Sequence, residues 1–168
     1  NISRAVPGGA KIFTPDDLMA GKLPEGKVII YDDDHYYMGG VLAELLATNG
    51  CNVTLITPAP MISYWTQFTL EQDRILKQLH KLNVTLLADH IIASHTPTNA
   101  TVTNVITSGE STLACDAIVM VTDRIPNDAL YHELLPALTE GKLKSLRLIG
   151  DAEAPNIIAQ AVFSGHLA

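Results

Sequence analysis

Val28-Ile-Ile-Tyr-Asp-Asp-Asp-His-Tyr-Tyr-Met-Gly-Gly-Val-Leu-Ala-Glu-Leu-Leu-Ala-Thr-Asn-Gly50 decides the fold. It opens with a continuous apolar run, the pattern of a strand buried on both faces. A tight turn follows, and then apolar Val41, Leu42, Leu45 and Leu46 recur at helical spacing. Asn49-Gly50 is a helix C-cap signal. Val53-Thr-Leu-Ile-Thr57 comes next and reads as a second strand. Strand, turn, helix and strand in this order make the opening of a Rossmann-type βαβ unit, in which a nucleotide pyrophosphate rests on the helix N-terminus. The turn does not suit that ligand. A dinucleotide-binding turn requires Gly-x-Gly-x-x-Gly, whereas Asp32, Asp33 and Asp34 stand at this mouth and only Gly39 and Gly40 follow.

Outward from that unit the chain keeps the α/β alternation and then abandons it. Residues 1–26 are rich in Gly and Pro and read as connector, with one short helix begun by Thr14 as N-cap and Pro15 at the first helical position. After the loop through Pro58 and Pro60, residues 66–82 read as a second helix with Phe68, Ile75, Leu76, Leu79 and Leu82 facing inward, and 84–88 as a strand. Residues 90–95, 100–107 and 112–121 are short strands parted by turn-like stretches, an antiparallel meander. Residues 117–122 return as an apolar strand, 127–138 as a helix, 145–150 as a last strand, and Pro155 opens a final helix. The expected fold class is therefore α/β, a Rossmann-like three-layer nucleotide-binding fold with a parallel sheet plus an antiparallel β-meander.

Bulk properties narrow the function. The 168 residues suffice for one domain with a sizeable core. Hydrophobic residues make up 47%, yet no apolar run is long enough to span a bilayer. A formal net charge of −7 argues against nucleic acid and anionic membranes as partners. Cys51 and Cys115 lack a CxxC or Cys/His pattern and read as structural thiols of a reducing cytosol. The chain opens at Asn1 without Met or a targeting segment and stops at Ala168 within an apparent helix, so it is expected to be a piece of a larger protein.

Four stretches together resemble the trimethylamine, dimethylamine and histamine dehydrogenase family. They are the run from Tyr31 to Leu46, Tyr64-Trp-Thr-Gln67 with Thr69-Leu-Glu71, Arg124-Ile-Pro-Asn-Asp-Ala-Leu-Tyr131, and Leu148-Ile-Gly-Asp-Ala-Glu-Ala-Pro155. The resemblance implies a fusion: an N-terminal flavin barrel with covalent FMN and a 4Fe-4S cluster, followed by two nucleotide-fold domains of glutathione-reductase type. Residues 1–26 would connect from the FAD-like domain, 27–123 would be the NAD-like domain, and 124–168 would return into the FAD/ADP-binding domain. It further implies oxidation of a small amine at the barrel, electrons passed to an electron-transferring flavoprotein, and a homodimer at full length. The resemblance carries no catalytic residue of amine oxidation over to this chain.

Two binding questions follow. Gly150-Asp151 before a Pro-initiated helix resembles the second FAD fingerprint of these flavoproteins, which implies that Asp151 binds a ribose or ribityl hydroxyl and that ADP, or FAD, sits partly on this region. For NAD(P) the expectation is negative. A pair of unit charges at about 5 Å costs roughly 3 kcal/mol at an effective dielectric of about 20, and Thr57 stands where an acid should bind the ribose. Asp32–Asp34 read as turn residues and as the helix's own anion, against a Mg2+ or Ca2+ site. Asp123 replaces a glycine in Val121-Thr-Asp-Arg124, and Arg124 reads as a surface or interdomain ion-pair residue. The six histidines (35, 80, 90, 95, 132 and 166) lack ligand spacing and read as surface or locally bonded. Tyr36, Tyr37, Tyr64 and Trp65 read as core or domain-interface packing. Two alternatives remain: a flavin oxidoreductase similar to dienoyl-CoA reductase that takes hydride from NADPH through this domain, and a receiver-like signalling module with an acidic Mg2+ site and Asp89 as phosphoacceptor.

Overall fold

The computed structural model describes residues 11–168. The Pro7-Gly8-Gly9 part of the expected connector lies outside the described residues. The chain divides after Asp123 into two units.

The first unit runs to Asp123. A short strand β1 (Lys11–Phe13) precedes helix α1 (Pro15–Met19), so part of the stretch read as connector belongs to the sheet. Thr14 and Asp17 close a capping box: the Thr14 hydroxyl accepts from the Asp17 N–H at 3.2 Å, and the Thr14 N–H donates to the Asp17 carboxylate at 3.1 Å. The decisive stretch forms β2 (Lys27–Asp32) and α2 (Tyr37–Thr48), followed by β3 (Asn52–Ile56). Then come α3 (Gln72–Lys81), β4 (Thr85–Leu87), the meander β5 (His90–His95), β6 (Asn99–Asn104) and β7 (Glu110–Ala114), and finally β8 (Ala117–Val121).

The parallel sheet has the order β1-β8-β2-β3-β4, and the meander forms a separate antiparallel sheet β5-β6-β7. Side-chain alternation along β2 builds the layers. Val28 and Ile30 face the helices with Leu42, Leu46, Leu55, Leu79 and Val119. Ile29 and Tyr31 face the meander with Ile56, Ile92, Val102, Ile118 and Met120. Helices, parallel sheet and meander are the three layers that the apolar patterning predicts.

One helix departs from expectation. Residues 66–82 are not continuous: a 3-10 turn (Tyr64–Gln67) ends in a break at Leu70, φ +61°, before α3 begins. Local side-chain bonds compete with the helix here. The Thr66 hydroxyl donates to the Ser63 carbonyl at 2.7 Å, and the Thr69 hydroxyl donates to the Thr66 carbonyl at 3.1 Å. Phe68, expected on the inner stripe, is consequently 67% exposed. It packs edge-on with Tyr64 and tilted against Trp65, itself half exposed, so these aromatics are not core residues in this unit.

The second unit holds α4 (Ala129–Thr139), a 3-10 turn (Gly150–Ala152) and α5 (Ile158–Leu167). The strand expected at 145–150 is absent among the described residues. Ile149 is extended, with φ −144° and ψ 157°, but no neighbouring strand supplies a hydrogen-bond ladder. Residues 124–168 contain no buried side chain. Ile125, Leu130, Ile157, Ile158, Val162 and Phe163 all lie more than half exposed. A segment with this much open apolar surface lacks a core of its own.

Candidate functional site

In open α/β sheets the ligand crevice lies beyond the carboxyl ends of the strands, where the order reverses. Here that switch point falls beside β2, which has β8 on one side and β3 on the other. The residues that occupy it come from the acidic turn.

Asp32 ends β2 and continues its alternation, so its side chain points with Val28 and Ile30 toward the helices. It is fully buried, not at the mouth as the sequence suggests. One carboxyl oxygen accepts the His35 N–H at 3.1 Å, and the other, Oδ2, has no partner among the described residues. The carboxyl lies against Gly39. A Cβ on Gly39 would stand 2.5 Å from both Cγ and Oδ2, so only glycine fits there. Burial pushes the Asp32 carboxyl up to about 7; the charges of Asp34 and Asp33 add to the rise, and the N–H groups of His35 and Asp34 oppose it.

His35 closes the other half. Its backbone is left-handed, φ +61°. Its Nδ1 lies 3.1 Å from the Thr57 hydroxyl, and Nε2 lies 3.5 Å from Asp33 Oδ1. Its carbonyl accepts the Trp65 N–H at 2.9 Å. The Asp33 N–H donates to the Val121 carbonyl at 2.8 Å, which ties the turn to the end of β8. Thr57 is fully buried. Of the three acids, Asp34 alone is exposed and Asp33 is half-buried. The His35–Thr57 pairing could not be read from the sequence, because it joins residues 22 positions apart across two strand ends. The burial of Asp32 could have been, from the period-two register of β2.

Tyr36 and Tyr37 beside this turn are half-buried, their rings tilted at 58° with centroids 4.1 Å apart. The Tyr37 hydroxyl donates to the Glu71 carboxylate, which raises the phenol to about 12 and lowers the acid. His95, the last residue of β5, is buried. Cys51 and Cys115 are free, and burial raises both thiols. No group of three or more His, Cys, Asp or Glu side chains that could hold a metal occurs among the described residues.

In the second unit, Gly150 is left-handed with φ +57°. Its N–H donates to the Ser164 hydroxyl at 2.8 Å, which fastens the turn to α5. Asp151 is exposed, and Oδ1 accepts only a long bond, 3.5 Å, from the Asn156 N–H. The first turn of α5 carries no acidic residue. Arg124 is exposed and forms no ion pair with another described residue.

A strand order with β2 between β8 and β3, a meander after β4 and an altered phosphate turn define a nucleotide-type α/β domain. A receiver sheet would instead place its third strand beside the first, so that alternative is overturned. Residues 13–117 match the model of the OYE-like second alpha/beta domain, and the chain belongs to that family. Dimethylamine dehydrogenase of Hyphomicrobium sp. (strain x) is 30% identical over 92% of this chain and 24% of its own length. Histamine dehydrogenase from Rhizobium sp. 4-9 is 37% identical with a TM-score of 0.90, over 98% of this chain and 27% of that one. The 6-hydroxypseudooxynicotine amine oxidase HisD from Pseudomonas geniculata N1 is 39% identical with a TM-score of 0.87, over 93% and 24%. The chain thus spans about a quarter of the length of these relatives. The flavoprotein disulfide reductase RclA from Escherichia coli shares the fold alone, at 21% identity and a TM-score of 0.61.

Proposed function

We propose that this chain is the nucleotide-fold region of an amine dehydrogenase flavoprotein. The carrying observation is the likeness to histamine dehydrogenase over 98% of the chain at 37% identity. In this reading the complete polypeptide oxidises a small amine by N-demethylation or deamination, in the cytoplasm and as a homodimer, and passes electrons to an electron-transferring flavoprotein. No helix among the described residues is long and apolar enough to cross a membrane, which accords with that setting. FMN and a 4Fe-4S cluster would supply the redox chemistry from the preceding part of the polypeptide. The two cysteines here are too few for a four-cysteine cluster.

Residues 27–123 act as the NAD-like scaffold domain and 124–168 as the return segment into the FAD/ADP-binding domain. The exposed apolar side chains of 124–168 support this, since such a segment needs a further layer to cover it. Asp151 and Gly150 fit an ADP or FAD site. The left-handed glycine permits the tight turn, and the weakly engaged Asp151 carboxylate is free to accept from a ribose hydroxyl. The test is turnover of trimethylamine, dimethylamine and histamine by the complete polypeptide with an artificial electron acceptor. Amine-dependent reduction of the acceptor without added NADPH is expected. Reduction that demands NADPH and ignores all three amines would replace this reading with the nicotinamide-dependent one. Asp151→Ala in the same polypeptide is expected to weaken ADP retention about tenfold, the loss of roughly 1.4 kcal/mol, measured as nucleotide released on denaturation. Unchanged ADP content would remove Asp151 from the site.

A further inference from the structure

We infer that the 32–35 turn is an internal plug: the buried Asp32 carboxyl anchors it against α2, and the His35 imidazole fills the ribose position beside Thr57. The domain then excludes nicotinamide dinucleotides by occupancy, not by acidic repulsion alone. In a dinucleotide-binding domain the glycine-lined helix start lets backbone approach the pyrophosphate, and the residue closing the second strand binds the ribose. In this chain the ribose position is taken by a group of the chain itself. His35 Nδ1 is 3.1 Å from the Thr57 hydroxyl, and Asp32, wedged against Gly39 of α2, holds the turn by accepting the His35 N–H at 3.1 Å. Two backbone bonds lock the plug from outside, Asp33 N–H to Val121 and Trp65 N–H to the His35 carbonyl. Occupancy differs from repulsion in which residues matter. Repulsion assigns the block to the accessible charges of Asp33 and Asp34. Occupancy assigns it to buried Asp32 and to His35.

The inference rests on the nucleotide-domain fold and not on amine oxidation, so its failure would leave amine turnover by the complete polypeptide untouched. The experiment is calorimetric titration of the complete polypeptide, saturated with ADP, with NADH and NADPH. The natural chain is expected to give no saturable heat. Asp32→Gly/His35→Gly, checked for folding by circular dichroism, is expected to bind NADH with a Kd at least tenfold lower than any value for the natural chain. Asp33→Asn/Asp34→Asn is expected to remain silent. Binding by the natural chain, a gain in the Asp33/Asp34 variant, or no gain in a folded Asp32/His35 variant each overturns the plug. His35→Gly alone covers the case in which the double variant does not fold, since glycine accepts φ +61°. It opens the ribose position, and AMP is its probe. AMP binding by this variant and not by the natural chain is expected; silence in both overturns the inference.

Discussion

Asp32→Asn is expected to raise stability at pH 8 by about 1–3 kcal/mol and to abolish a fall in stability between pH 4 and 7. The unfolded chain releases the Asp32 proton near the ordinary 3.8, and the folded chain holds it to about 7. Between those values the folded state binds more protons than the unfolded state. Stability therefore falls as pH rises through this window, carries no penalty below it, and carries the full penalty above it. The gap between 3.8 and about 7 is worth about 4 kcal/mol. The Asn side chain avoids ionisation but leaves a buried amide N–H where Oδ2 has no partner, an opposing cost of about 1–3 kcal/mol. Denaturant unfolding of both chains from pH 4 to 8 gives the difference for Asp32 and the two acids coupled to it, because titrating groups away from the turn contribute equally to both. A difference that stays constant with pH would mean that Asp32 titrates as an exposed acid.

The layers were legible because they depend on local periodicity. The apolar run of β2, the spacing of Leu42 and Leu46, and the two turns of the meander each carry their own signal. The failures arise where partners are distant or where side chains rewrite the backbone. The helix expected over 66–82 breaks because Thr66 and Thr69 bond nearby carbonyls, a choice that apolar spacing does not reveal. The strand expected at 145–150 has the right composition but no ladder neighbour in the described chain. Composition shows that a segment suits a sheet, and a second strand must make it one.

The site was half legible. The absence of the glycine pattern and of an acid after β3 already argued against dinucleotide binding. The acids were read as a charged mouth, however, and Asp32 instead belongs to the interior. Three consecutive aspartates look equivalent in a sequence. The strand register separates them, because Asp32 is still paired with Val121 in the sheet while Asp33 already forms the turn. His35 acquires its role only through Thr57, which the fold brings beside it.

Gly39→Ala is expected to destabilise the chain by about 2–4 kcal/mol, whereas Gly40→Ala changes stability by about 1 kcal/mol or less. Both substitutions gain about 1 kcal/mol of helix propensity. They differ in what the new methyl meets. At Gly39 it would stand 2.5 Å from Asp32 Cγ and Oδ2 and 2.8 Å from Asp32 Cβ. That side chain is short, buried, fixed by strand β2 and held by the His35 N–H. At Gly40 the nearest atoms are Ile75 Cγ2 at 3.2 Å and Ser63 Oγ at 3.3 Å, where a shift of a few tenths of an ångström suffices. Asp32→Gly removes the obstacle, so Gly39→Ala in that background should cost little, and the double-mutant cycle should show a coupling of at least 2 kcal/mol. Thermal or denaturant unfolding of the four chains measures it. Equal effects of Gly39→Ala and Gly40→Ala, or additivity with Asp32→Gly, would show that the carboxyl can leave its place over the helix start at little cost. A carboxyl that leaves so easily could not hold the His35 N–H and with it the turn, so this cycle measures the rigidity on which the exclusion of a dinucleotide depends.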